Sequence, residues 1–178
     1  MAGRRHVHGQ GQDGGDLIGP NPTDRAKPGV KRSILVDQHG GLLAAVVAGA
    51  NVHDQRLLAA TLDALVLPRP APTPAAPQHL CLDKGYDSPP AEAAVLARGY
   101  TPHIRRIGEE KRDPATGEKR HPARRWVVER TLAWRSKCRA LLVRYDKKPE
   151  NYLPLLKVAA TLLWFRHWWR QTRAERTG

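Results

Sequence analysis

The stretch Leu80-Cys81-Leu82-Asp83-Lys84-Gly85-Tyr86-Asp87 places a carboxylate directly after a short apolar run. The apolar residues predict a strand over 79–83, and Gly85 predicts a turn. A helix is expected to begin near Ser88, with Pro in its first turn, and to end before Gly99. A strand that passes directly into a helix is the unit from which α/β domains are built.

Further strands and helices are expected on both sides of this unit. Two apolar runs at 33–37 and 42–48 predict strands joined by a hairpin at His39-Gly40-Gly41. Helical spacing of apolar residues predicts a helix over 54–66 with Asp54 as its cap. The other expected elements are a strand at 101–105, a helix over about 122–140, an extended piece at 141–144 and a last helix from Asn151 to about 170. The pattern predicts one α/β domain with a mixed sheet.

The charge of the chain favours a polyanionic partner. Its 178 residues include 30 Lys and Arg against 17 Asp and Glu, a formal net charge of +13. Cations that neutralise phosphates release condensed counterions, so nucleic acid explains this excess better than a merely well-solvated basic surface does. Charge alone does not separate DNA from RNA.

Cysteine use and hydropathy bear on the compartment. Cys81 and Cys138 are far apart in apolar settings, so buried free thiols in a reducing cytosol are expected rather than a disulfide. The apolar runs are too short and too interrupted to span a bilayer, so no membrane role is expected.

A second carboxylate, Glu129, lies on the predicted helix, away from its apolar stripe. One interpretation is a surface Glu paired with Arg125 one turn earlier. The other is a metal ligand, because Glu129 lies in the main basic region and phosphodiester cleavage by two divalent ions needs carboxylates that hold them. Mg²⁺ prefers oxygen ligands of this kind. Asp83 and Glu129 could converge on such a site, but their spacing leaves both interpretations open.

Four motifs in this order resemble bacterial insertion-sequence transposases with a DDE catalytic domain. They are Gly19-Pro20-Asn21-Pro22-Thr23-Asp24-Arg25, Gly49-Ala50-Asn51-Val52-His53-Asp54, Asp83-Lys84-Gly85-Tyr86-Asp87 and Arg125-Trp126-Val127-Val128-Glu129-Arg130-Thr131-Leu132-Ala133-Trp134. The resemblance extends from about residue 14 to 165. It implies a ribonuclease-H-like fold of a mixed sheet flanked by helices, and DNA transposition by end cleavage and strand transfer with Mg²⁺ or Mn²⁺.

The same resemblance implies the partners and the location. The expected partner is double-stranded DNA, at transposon ends and at the target. A homo-oligomer or an assembly with full-length transposase is also expected, in the bacterial cytoplasm at the nucleoid.

The resemblance assigns site residues one by one. Asp83 matches the second acid and Glu129 the third, and both are expected to be catalytic and to bind metal. Arg125 matches the family's Arg four residues before the Glu. The residues expected to contact DNA phosphate are Lys84, Arg125, Arg130 and Lys137. Of these, Lys137 stands one position later than the basic residue of the family pattern, which falls at Ser136 by strict count.

The family's first acid has no counterpart in this chain. Residues 1–8 hold no carboxylate, and Asp13 and Asp16 are too close to the Gly-Pro-Asn-Pro loop to replace it. We therefore expect the first strand to be partly or wholly missing, with only a short strand at 4–8. The chain then corresponds to the carboxy-terminal part of a transposase: a truncated reading frame, a second frame joined by frameshifting, or a decayed copy.

These expectations define the domain boundaries and the alternatives. Residues 1–32 form a loop-rich segment, 33–170 the truncated catalytic domain and 171–178 a basic tail. The alternative function is a catalytically inactive fragment that only binds DNA. A third is a ribonuclease of the same fold.

Overall fold

The computed structural model describes residues 2–11, 14–104, 127–129, 131, 133 and 138–177, and a seven-stranded mixed sheet is its centre. The strands are β1 (Ala2–Gly11), β2 (Gly19–Pro20), β3 (Pro28–Val36), β4 (Leu42–Gly49), β5 (His79–Leu82), β6 (Thr101–Ile104) and β7 (Val143–Arg144). The structure thus confirms the α/β class with a mixed sheet.

Strand β1 runs through the middle of this sheet. It is antiparallel to β3, from Gly3 opposite Val36 to Gln10 opposite Gly29. On its other side, β5 runs parallel to its first residues and β7 parallel to its last. β3 also pairs antiparallel with β4, and β5 pairs parallel with β6. The five main strands therefore follow the order β4-β3-β1-β5-β6, and the carboxyl ends of β1, β4, β5 and β6 point in one direction.

The structure excludes a wholly missing first strand, because β1 is present, whereas a partly missing first strand stays a prediction. β1 is ten residues long and pairs with three strands, where we expected a loop with a short strand at 4–8. Eight of its ten residues are Gly, His, Arg or Gln, which have little strand preference, so backbone pairing on both edges overrides propensity here. β3 likewise begins at Pro28 rather than at residue 33. The domain boundaries themselves stay a prediction.

The helices also differ in detail from the expected ones. A 3-10 helix at Asp54–Leu57 precedes α1 (Leu58–Asp63), and α2 is Pro89–Leu96. The expected helix over 122–140 is helical at 127–129, 131 and 133, but Cys138 has extended backbone and a separate short helix, α3 (Arg139–Leu142), follows it. The last helix, α4 (Pro149–Thr177), begins before the expected cap and continues through most of the expected basic tail.

Each face of the sheet has its own hydrophobic core. The first core packs α1 and α2 against one face, and its fully buried members include Leu35, Leu58, Leu80 and Tyr86. The second covers the other face and contains Ile34, Val127, Leu141, Tyr152 and Leu156. Successive residues of β3 thus point into different cores, which is why both strands of the hairpin look apolar on both faces.

Among the described residues, no helix is both long enough and apolar enough to cross a membrane.

Candidate active site

Two of the four motifs meet where the chain leaves β4 and β5. The Nε2 of Gln55, which directly follows the motif at 49–54, donates a 2.9 Å hydrogen bond to the carbonyl oxygen of Gly85. Each motif leads into a 3-10 helix, with His53 and Asp83 as the capping residues. The two turns therefore lie side by side, although 30 residues separate Gln55 from Gly85.

The motif at 19–25 lies against the same group. Gly19 pairs with Gly29 of β3, at the end of that strand where β4 also finishes. A Cβ on Gly19 would meet the side-chain amide of Asn51, so the two motifs are in direct contact here. Asn21 is buried, and its Oδ1 accepts hydrogen bonds from the backbone N and the hydroxyl of Thr23. Three motifs that are distant in the sequence are thus neighbours in the structure.

Asp83 is held by the backbone of its own turn. It has extended dihedrals, φ −70° and ψ 156°, and its carbonyl oxygen accepts a 3.0 Å hydrogen bond from the N–H of Tyr86. Tyr86 is 2% exposed and anchors the turn in the first core. The half-buried carboxylate of Asp83 makes no capping hydrogen bond, so it does not serve to stabilise the 3-10 helix that follows. Lys84 follows it and is exposed.

Asp54 is not the helix cap that we expected. The ring Nδ1 of His53 accepts the capping hydrogen bond from the N–H of Gln55 instead. The carboxylate of Asp54 lies 2.6 Å from the Nζ of Lys31, which also donates to the carbonyl oxygen of Val52 at 2.5 Å. The Lys31 side chain is 8% exposed, so it ties the motif at 49–54 to β3 from inside the structure.

Sequence reasoning missed the role of Lys31. The Lys31-Arg32 pair precedes the expected strand, and adjacent charges ordinarily indicate a solvated segment. Both residues are buried within β3, and Arg32 Nη1 donates to the carbonyl oxygen of Leu141 at 2.8 Å. No local pattern shows this, because the partners lie 23 and 109 residues away.

Glu129 lies on a segment that packs on the other face of the sheet. Val127 and Val128 are buried in the second core, and Glu129 is exposed, as its place outside the apolar stripe predicted. The hydroxyl of Thr131 hydrogen-bonds to the carbonyl oxygens of Gly40 at 2.9 Å and Val127 at 3.0 Å. This contact joins the Glu129 segment to the β3–β4 hairpin.

The other residues expected to contact DNA lie outside the described part of the chain. These are Arg125, Arg130 and Lys137. Lys84 therefore carries the DNA-contact prediction within the described residues. Its place beside Asp83 is compatible with that role.

The first acid is not found on β1. Gly3 lies opposite Cys81, and continuing this parallel register by two residues brings Arg5 level with Asp83. Asp16 donates its backbone N–H to the carbonyl oxygen of Lys147, next to β7 at the far end of β1. At about 3.3 Å per residue that end lies roughly 20 Å along the strand from the level of Asp83. Asp16 is thus too distant to complete a site there.

A divalent ion fits these residues only in part. Asp83 and Glu129 offer carboxylate oxygens, which are the ligands that Mg²⁺ and Mn²⁺ prefer. Among the described residues, no group of three or more His, Cys, Asp or Glu side chains is arranged to hold a metal ion. The assignment of both acids as metal ligands stays a prediction.

Most of this chain, including the residues described above, is similar in sequence to known proteins. Residues 5–164 match the family described as "Transposase DDE domain". A Burkholderia cepacia protein assigned as the transposase for insertion sequence element IS402 is 35% identical over 165 residues, which cover 90% of this chain and 74% of that relative. The family match spans all four motifs.

Proposed function

The chain belongs to the insertion-sequence transposases with a DDE domain, and from this we propose that it is the catalytic domain of such an enzyme. Its proposed reaction is metal-dependent cleavage of DNA at the element's ends, followed by strand transfer. The observation that carries the proposal is the hydrogen bond from Gln55 to Gly85, because it holds two family motifs together beside the turn that begins at Asp83.

A ribonuclease-H-like fold is part of the proposal. The order β4-β3-β1-β5-β6, with helices packed on both faces of the mixed sheet, is compatible with that fold. The three motifs that meet at the carboxyl ends of β4 and β5 support placing the active site there. In open α/β sheets, ligands bind outside the carboxyl ends of the strands.

The proposed roles of the residues follow from their chemistry. Asp83 and Glu129 would hold Mg²⁺ or Mn²⁺, which supplies Lewis-acid activation of a phosphodiester when bound. The buried Tyr86 and the bond from Gln55 keep the Asp83 turn in place. Lys84 contacts the DNA backbone beside it, and Arg125, Arg130 and Lys137 are proposed as further phosphate contacts from their match to the family pattern.

A second candidate is a domain that binds transposon DNA without cutting it. The observation that favours it is the composition of β1, whose ten residues contain no carboxylate and bring Arg5 level with Asp83. An arginine at that level suits phosphate binding but cannot replace a metal ligand.

Nicking of labelled DNA that carries the gene's flanking ends tests both candidates. The purified chain is assayed with Mg²⁺ and with Mn²⁺, beside Asp83→Asn and Glu129→Gln. Glu150→Gln is the matched control, because it removes an exposed carboxylate of α4 that lies outside the four motifs. DNA binding of every variant is measured in parallel by fluorescence anisotropy.

Cleavage by the wild type and by Glu150→Gln, but not by the two site variants, is the expected result. DNA affinity should stay the same or rise in the site variants, because each change removes a negative charge. DNA binding without cleavage by any form would establish the second candidate. Equal cleavage by all four proteins would exclude Asp83 and Glu129 from the site.

A further inference from the structure

The exposed imidazole of His53 lies in the motif at 49–54, to which the proposed reaction gives no chemical role. The backbone on both sides of His53 is held by the buried Lys31. The Nζ of Lys31 donates to the carbonyl oxygen of Val52 at 2.5 Å and lies 2.6 Å from the carboxylate of Asp54. An exposed side chain on an anchored backbone is preorganised, so a partner that binds it does not have to order the chain first.

His53 and Asp83 occupy equivalent places in two adjacent turns. Each has extended backbone and is the capping residue of a 3-10 helix. Each also stands two residues before one end of the hydrogen bond from Gln55 to Gly85. Two residues span at most about 7 Å of backbone, so both capping residues lie close to this bond. The imidazole of His53 is therefore a neighbour of the turn that begins at Asp83.

The capping bond decides which ring nitrogen of His53 carries the proton. The backbone N–H of Gln55 donates to Nδ1 at 3.4 Å, so Nδ1 carries no proton. In the neutral ring the proton is then on Nε2, which makes Nε2 a hydrogen-bond donor. Neither nitrogen has a lone pair left for a metal ion in this state. Within the part of the chain that the structure describes, this donor has no hydrogen-bond partner.

The charges of the two turns are balanced around this donor. The exposed cations Arg56 and Lys84 lie one on each turn. Together with Lys31 they offset the carboxylates of these turns, which belong to Asp54, Asp83 and Asp87. An anion that reaches the donor therefore meets no excess of negative charge, and a phosphate oxygen is a strong acceptor for such a hydrogen bond.

We propose that Nε2 of His53 donates a hydrogen bond to a backbone phosphate oxygen of the DNA strand held at the Asp83 turn. The inference rests on the proposed function, because that function supplies the DNA. Contacts to phosphate fix the register of a protein on its nucleic acid. The contact from His53 thus sets where the strand lies relative to Asp83.

Two substitutions separate the roles of the two ring nitrogens. In His53→Asn the side-chain oxygen reaches the place of Nδ1 and keeps the capping bond, but no donor replaces Nε2. In His53→Gln the amide nitrogen reaches the place of Nε2 and keeps the donor, but the cap is lost. Urea unfolding measures the cap. Fluorescence anisotropy with a labelled duplex of the gene's flanking ends, in the absence of metal, measures the phosphate contact.

The two variants should show opposite losses. His53→Asn should raise the dissociation constant for DNA at least about fivefold and leave the urea midpoint unchanged. His53→Gln should lower the urea midpoint and keep the dissociation constant within about twofold of the wild type. Because the donor is neutral, neither variant should change the slope of log K against log salt.

His39→Asn is the matched control. It removes an exposed imidazole from the hairpin at the other end of β4, roughly 25 Å along the strand from His53. Its DNA affinity and salt slope should equal those of the wild type.

Four results would count against the contact, each in a different way. Wild-type DNA affinity in His53→Asn would remove the hydrogen bond to phosphate. Equal losses of affinity in His53→Asn and His53→Gln would assign the effect to the shape of the turn rather than to Nε2. A shallower salt slope in His53→Asn would show a cationic contact instead of a neutral donor. A wild type that binds no DNA would overturn the proposed function itself, and the contact with it.

Discussion

The side-chain amide of Gln55 donates a 2.9 Å hydrogen bond to the carbonyl oxygen of Gly85. Gln55 follows the end of β4 and Gly85 follows the end of β5, two strands that β3 and β1 separate in the sheet. The bond therefore spans the surface outside the sheet and sets the position of the turn that presents Asp83.

Gln55→Glu should impair catalysis more than stability. The substitution keeps the shape of the side chain but replaces the donor with a carboxylate, which repels the carbonyl oxygen of Gly85. Because the bond is exposed, the free energy of unfolding should fall by no more than about 1 kcal/mol. Urea unfolding measures this loss in the free energy of unfolding. The nicking rate should fall by a larger factor than this free energy corresponds to. A nicking rate equal to that of Gln171→Glu, a similar change far from the turn, would contradict the role given to Gln55.

Asp54→Asn alone should lower the free energy of unfolding more than replacing both Asp54 and Lys31 does. The Asn leaves the ammonium of Lys31, whose side chain is 8% exposed, without its 2.6 Å carboxylate partner. We expect a loss of about 1–3 kcal/mol in the free energy of unfolding. Lys31→Met combined with Asp54→Asn removes the buried charge as well, so the double variant should regain part of the loss. An additive double-mutant cycle in urea unfolding would show that the two residues do not interact.

Thr131→Val should loosen the segment that carries Glu129. The substitution is close in shape but removes the hydroxyl that bonds to Gly40 and Val127. Thr131 is 5% exposed, so the loss should be about 1 kcal/mol in the free energy of unfolding. Thr161→Val removes an exposed hydroxyl bonded to Lys157 on α4 and should have little effect. Equal unfolding midpoints for the two variants would argue against an anchoring contact at Gly40.

Lys84→Gln should reduce the salt dependence of DNA binding. If Lys84 contacts one phosphate, the slope of log K against log salt should become shallower by about 0.9. Lys157→Gln removes an exposed charge from α4 and serves as the control. Fluorescence anisotropy at several salt concentrations gives both slopes. An unchanged slope for Lys84→Gln would remove this residue from the DNA interface.

The pair Asp63 and Arg98 should contribute stability only above acidic pH. The guanidinium of Arg98 hydrogen-bonds to the carboxylate and holds the pKa of Asp63 below its ordinary range. A lowered pKa in the folded state adds stability above the unfolded pKa, and this stability is lost as the pH falls through the folded pKa. The difference between wild type and Asp63→Asn in urea unfolding should therefore be constant above about pH 5 and shrink below about pH 4. A difference that grows in acid would contradict the sign.

Local residue patterns are sufficient for much of this fold. The apolar runs of β4 and β5 and the hairpin between β3 and β4 were predicted within one or two residues at most of their ends. Gly99, with φ +70°, follows the end of α2 as expected, because glycine reaches this conformation without steric cost. The order of four motifs was enough to identify the family, since residue types that chemistry requires can be read without coordinates.

Other features depend on contacts between distant residues. β1 has no apolar alternation and exists because β3, β5 and β7 satisfy its backbone groups. The burial of Lys31 requires Asp54, and the position of the Asp83 turn requires Gln55. The nearly all-apolar α4 showed no preferred side in its sequence. Packing on the sheet buries Tyr152 and Leu156 and leaves Leu162 and Phe165 exposed. The periodicity of apolar residues predicts which residues can be buried. Which neighbours bury them is decided only when the strands of the sheet assemble.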